Sequence, residues 1–120
     1  FVKYSINSFL ATKVIFFNEL QMLFSKSGSK EDWQKFIKII SQDPRIGDSH
    51  MQVPGHDGRF GFGGACLPKD ASAFINYSDS RSVNLNLLKT TINTNNKIRA
   101  TYNKKTNREI EQNIDFGGEK

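Results

Sequence analysis

The residues best suited to chemistry lie in one decapeptide, Gly61-Phe62-Gly63-Gly64-Ala65-Cys66-Leu67-Pro68-Lys69-Asp70. A glycine-rich run delivers the lone cysteine to a Leu-Pro pair, and proline suits the first turn of a helix. Cys66 then falls at a helix N-terminus, where orphan N–H groups and the helix dipole favour a thiolate, the nucleophilic form of the side chain. Lys69 and Asp70 follow three and four residues later, within one turn of it. The glycines let another molecule approach the backbone closely. Residue types alone leave the opposite reading open, because a lone cysteine also serves as a small buried hydrophobe. Gly61 to Gly64 is a poor nucleotide-binding fingerprint: the spacing is not G-x-G-x-x-G, and no strand precedes it.

Lys3 and Asn7 are four residues apart and so share one face of a helix, with Asn18 near the same stripe eleven residues on. By type they read equally as a solvated terminal lysine and a surface amide. Arg45 reads as a cation at a helix C-terminus. His56 and Asp57 have the types of an acid–base pair, and loop structure is the other reading of them. A single cysteine excludes an internal disulfide framework and a Cys-rich zinc site, and no metal site is expected.

Four helices must position these residues. From Phe1 to Lys26, apolar residues recur at three- and four-residue steps with no Pro or Gly, and Gly28 ends the run. The apolar face is wide, so this helix is expected to be largely buried. A second helix is expected from a Ser29 cap, with Asp32 three residues on, to about Gln42, where Pro44 stops it. Residues 43–66 have no periodicity and hold six of the nine glycines. So long a stretch in a small domain is functional or disordered, and Phe60 and Phe62 favour an ordered loop that packs onto something. A third helix is expected from Leu67-Pro68 to about Tyr77, then a polar connection over 78–82. The fourth is expected from about Val83 towards Tyr102; its asparagines lower helix propensity, so packing must hold it. Residues 105–120 are polar and expected to fray.

The chain has 120 residues, 37% hydrophobic and 24% charged, with ten Phe. That is one domain with a real core, and its apolar runs are too short to cross a membrane. Its first residue is Phe1 and no signal peptide is visible, so a piece of something larger is expected, in the cytoplasm. The net charge is +5. The one dense basic cluster, Lys97 to Arg108, reads as a solvated helix face, although a polyphosphate ligand would also welcome it.

The decapeptide resembles the active-site segment of the UDP-glucose/GDP-mannose dehydrogenase family, whose pattern GFGG-x-C-x-PKD carries the catalytic cysteine. Arg45-Ile46-Gly47, the run His50 to Gly58, Lys3 to Lys13, and Phe17-Asn18-Glu19-Leu20 are similar to the same family, and the likeness covers about residues 1–100. It implies the all-α central domain, which dimerises through its long helix. The Arg45 to Gly58 stretch is more like the enzymes acting on UDP-glucose than those acting on GDP-mannose. The resemblance implies that Cys66 is the nucleophile, that Lys3 and Asn7 hold the substrate oxygen and a catalytic water, and that Asp70 pairs with the lysine and helps activate water. It implies substrate contacts from Arg45 (across the dimer interface), Phe60, Phe62 and Gly63, and places Lys69 near the cofactor. The implied reaction oxidises a nucleotide sugar twice with NAD, through a thiohemiacetal and a thioester. NAD and part of the substrate belong to domains of which this sequence has no sign, so these residues alone are not expected to be a competent dehydrogenase. A non-catalytic dimerisation module and a basic nucleic-acid binder are the rival classes. The intact Lys3, Asn7, Cys66 and Asp70 set argues against the first, and the interleaved acids against the second.

Overall fold

The computed structural model describes residues 1–64 and 66–102. These form four helices: α1 (Val2–Lys26), α2 (Trp33–Ser41), α3 (Cys66–Ser80) and α4 (Asn86–Arg99). No strand occurs among the described residues, so the chain is all-α. The tail at 105–120 and the far part of the basic cluster lie outside them.

Helix α1 is the axis of the molecule, packing against α3 and α4, which also touch each other. Its inner face supplies Ala11 and Ile15 to a core completed by Phe62 from the glycine loop, with Val14, Leu67, Ile92 and Ile98 around it. Ala11 of α1 and Ala71 of α3 are both fully buried. Towards its C-terminus α1 enters a second core of Phe17, Met51 and Val53, flanked by Leu20, Phe60 and the α2 residues Trp33, Ile37 and Ile40. Phe24 stacks on Phe36 at 4.9 Å between ring centroids and meets Trp33 edge-on at 5.4 Å. These contacts hold α2 against α1. Each of these half-buried rings contributes about 1–2 kcal/mol.

Four sequence expectations are corrected. Helix α1 is not largely buried: Val2, Ile6, Phe9, Phe16 and Leu23 are exposed. Its apolar residues form two faces, and only one meets the rest of the chain. Ser29 does not cap α2. Asp32 does, its carboxylate accepting from Gln34 N–H, while Ser29 Oγ accepts from Glu31 N–H before the helix begins. Helix α3 continues to Ser80, because Ser78 and Ser80 donate their hydroxyls back to the carbonyls of Ile75 and Tyr77 and sit comfortably in the last turn. Helix α4 begins at Asn86, not Val83. Ser82 has φ +59° and Val83 N–H returns to Ser78 C=O, so the turn closes on α3 before a new helix can start.

Candidate active site

Cys66 is the first residue of α3 and is exposed, so the thiol is open to a reactant. One turn further, Asp70 is buried at 4% exposure on the side of α3 that faces α1. Asn7 Nδ2 donates to Asp70 Oδ2 at 2.7 Å, and Lys3 Nζ stands 3.7 Å from the same oxygen. The lysine side chain is 73% exposed and the aspartate 6%. A buried carboxylate thus holds an amide on one side and a solvent-facing ammonium on the other. The four-residue step between Lys3 and Asn7, and between Cys66 and Asp70, is what lets two helices build this cluster from 63 residues apart. Lys69 is exposed on the same first turn.

The other expected residues stand elsewhere. Arg45 is exposed and makes a two-pronged contact with Asp43, Nε to Oδ1 at 3.0 Å and Nη2 to Oδ2 at 2.7 Å. That pairing holds the Asp43 carboxyl below the usual carboxylate range and raises Arg45 further. Phe60 is half-buried in the second core and its N–H donates to Tyr102 Oη at 2.8 Å. The Phe62 ring is in the first core, and Gly63 is half-buried beside the approach to Cys66. His56 is exposed, while Asp57 accepts from Arg99 Nη1 at 2.8 Å and holds the loop to α4. His50, with φ +60°, has its imidazole pushed below its ordinary value by burial, and the positive charges of Lys13 and His56 add to this.

Three residues that position the loop carry little sequence signal. Asn18 and Asn95 are each 1% exposed and bind the backbone of Gly61 and Phe62. Arg99, expected on a solvated basic face, is instead buried at 4%, paired with Asp57 and donating to Gly61 C=O. Asn18 is foreshadowed by its eleven-residue spacing from Asn7. Asn95 is hidden among neighbouring asparagines. Glycine is required at 61: φ is +77°, and a Cβ there would meet Asn95 Oδ1 at 2.5 Å.

Residues 1–97 match the family model for the UDP-glucose/GDP-mannose dehydrogenase family, central domain. The chain belongs to that family. It is 38% identical over 95 residues to a UDP-glucose 6-dehydrogenase of Rickettsia felis, covering 78% of this chain and 19% of the relative. It is 34% identical over 99 residues to one of Bacillus subtilis, covering 82% and 21%. Against one of Rhizobium meliloti it is 33% identical over 104 residues, covering 87% and 22%. The chain therefore spans about a fifth of the length of the curated relatives it matches. As a member of this oxidoreductase family it carries the family's helical central domain. Among the described residues, no group of His, Cys, Asp and Glu could hold a metal ion. No described helix is long and apolar enough to cross a membrane.

Proposed function

We propose that this chain is the central domain of a UDP-glucose 6-dehydrogenase and supplies the covalent half of its site. The observation that carries this is the Lys3–Asn7–Asp70 cluster one turn from the exposed Cys66. A buried carboxylate held by an amide and a cation, beside an accessible thiol at a helix N-terminus, is suited to capturing an aldehyde and then hydrolysing the adduct. UDP-glucose is favoured over GDP-mannose by the Arg45 to Gly58 stretch and by the names of the relatives.

NAD, when bound, accepts the hydride in both oxidations; the described residues build no strand–turn–helix to cradle its pyrophosphate, and this chain's own groups act at the sugar carbon. In the first oxidation the sugar C6 hydroxyl loses its proton to solvent and its carbon a hydride, leaving an aldehyde; Lys3 and Asn7 stabilise the alkoxide that develops on that oxygen at about 3 kcal/mol per good donor. The Cys66 sulfur adds to the aldehyde carbon and gives a thiohemiacetal. Loss of a second hydride from that carbon, with the hydroxyl proton passing to solvent, leaves a thioester. Water, oriented by Asn7 and Asp70, attacks it, giving the uronate and freeing the thiol. Arg45, Phe60, Phe62 and Gly63 belong to the substrate side of this proposal. For Phe62 that role falls to the loop it anchors, since its ring is in the core and its own N–H and C=O bind Asn95. Lys69, exposed on the first turn of α3, belongs to the cofactor side.

The exposed stripe Val2, Ile6, Phe9, Phe16 and Leu23 along α1 supports a homodimer through that helix, with Arg45 reaching the partner's substrate. We read the compartment as the cytoplasm, where a nucleophilic thiol stays reduced. The test is turnover by the full gene product carrying this chain. UDP-glucose and NAD should give UDP-glucuronate with two NADH per uronate, and Cys66→Ser should give no uronate. Uronate formed at the normal rate by Cys66→Ser would refute the nucleophile. GDP-mannose turned over in preference to UDP-glucose would refute the substrate. No turnover and no covalent adduct would leave a helical dimerisation module.

A further inference from the structure

The backbone polar groups of two consecutive loop residues are taken by side chains from two helices. Gly61 N–H donates to Asn18 Oδ1 of α1 at 2.7 Å, and Gly61 C=O accepts from Arg99 Nη2 of α4 at 3.3 Å. Phe62 N–H donates to Asn95 Oδ1 of α4 at 2.6 Å, and Phe62 C=O accepts from Asn95 Nδ2 at 2.9 Å. Asn18 is fixed in turn, its Nδ2 donating to Val14 C=O at 2.8 Å. Side chains thus do here what a neighbouring strand does in a sheet, and they do it four residues before Cys66. These buried backbone groups would stand unpaired without the amides. What the amides add is direction, since each bond is met at one loop position only. Asn18 and Asn7 are eleven residues apart, about three turns, and so share one face of α1. One rigid helix therefore references both the loop that releases the thiol and the carboxylate the thiol must work beside.

On the reading of Cys66 as the nucleophile, we propose that Asn18 and Asn95 are positioning residues that set where Cys66 stands relative to Asp70. They touch neither substrate nor cofactor. Their effect is on capture of the aldehyde, because a displacement of about 1 Å at a reacting atom costs up to roughly a hundredfold in rate.

The test uses the full gene product with Asn18→Leu and Asn95→Ser. Uronate formation is measured together with aldehyde escaping to a hydroxylamine trap. Simple instability lowers both products together. Misplacement raises trapped aldehyde per uronate, so the ratio reads position. Asn18→Leu and Asn95→Ser should lower kcat by about tenfold or more, leave KM for UDP-glucose little changed, and raise that ratio. A wild-type ratio in folded Asn18→Leu and Asn95→Ser would overturn the proposal. Fluorine NMR of a trifluoromethyl label on Cys66 needs no turnover, so it separates this proposal from the functional one. If wild type makes no uronate, the functional reading falls, and the label still decides. Its resonance should move in either variant towards that of the unfolded labelled chain, and an unmoved resonance in both would overturn the clamp.

Discussion

Replacing Gly61 by alanine should destabilise the chain by about 2–5 kcal/mol, for two separable reasons. The backbone there has φ +77°, which costs a residue with a Cβ roughly 1–2 kcal/mol. The new Cβ would also lie 2.5 Å from Asn95 Oδ1, where ordinary contact begins at 3.4 Å, so the amide must retreat by 3.4 − 2.5 = 0.9 Å. It is not free to do so, since it is bonded to Phe62 N–H at 2.6 Å and Phe62 C=O at 2.9 Å. Retreat strands at least one buried backbone group, at about 1–3 kcal/mol each. Gly58→Ala is the control. Its φ is +76° and nothing lies within 4 Å of its Cβ, so it should cost only the roughly 1–2 kcal/mol of backbone strain. Urea unfolding followed by Trp33 fluorescence, at constant m, measures both variants. Gly61→Ala no more costly than Gly58→Ala would refute the idea that Asn95 is held rigidly against the loop.

Asn7→Ala should cost about 1.5–3 kcal/mol, because Asp70 at 4% exposure would keep only the solvent-facing Lys3 at 3.7 Å; an unchanged urea midpoint would show that the carboxylate does not depend on the amide. Arg99→Ala should cost about 1–3 kcal/mol, since its 2%-exposed side chain holds the buried Gly61 C=O as well as Asp57, whereas Arg45→Ala, at 87% exposure, should leave the midpoint unmoved. His50 binds its proton less readily folded than unfolded, so its contribution to stability is complete above the ordinary histidine value of about 6.5 and is lost as pH falls from there through its lower folded value. His50→Gln should flatten the dependence of the urea midpoint on pH in that window, and an unaltered slope would exclude the imidazole. Sedimentation should show a dimer that Ile6→Asp disrupts; a wild-type monomer would count against pairing through α1.

The fold class is legible because hydrophobic spacing and its interruptions suffice for it. The run ending at Gly28 and the stop at Pro44 place α1 and α2, and the Leu-Pro pair places the start of α3. The chemical cluster is legible only as a pattern. Lys3 with Asn7 and Cys66 with Asp70 are each one helical step apart, but nothing in the spacing says that the two pairs meet. That meeting depends on the packing of α1 against α3, which shows only in the structure. Asn95 and Arg99 are illegible for a related reason. A buried polar side chain looks like a surface one until its partner is known, and their partners lie 33 and 42 residues away. The wide apolar stripe of α1 is misleading in its own way, because sequence cannot divide a stripe between the chain's own core and a face left outward.

The order in which the segments are made gives the clamp on the glycine loop a consequence for synthesis. Ribosomes extend a chain at about 5–20 residues per second. Asn18 must wait for Gly61, 43 positions later, and Phe62 must wait a further 33 for Asn95. For several seconds α1 is complete with both apolar faces bare, and the segment carrying the thiol has no fixed place. The helix that organises the finished domain is thus its most exposed element while the chain is being made, which is the interval in which a chaperone holding hydrophobic helices has most to protect.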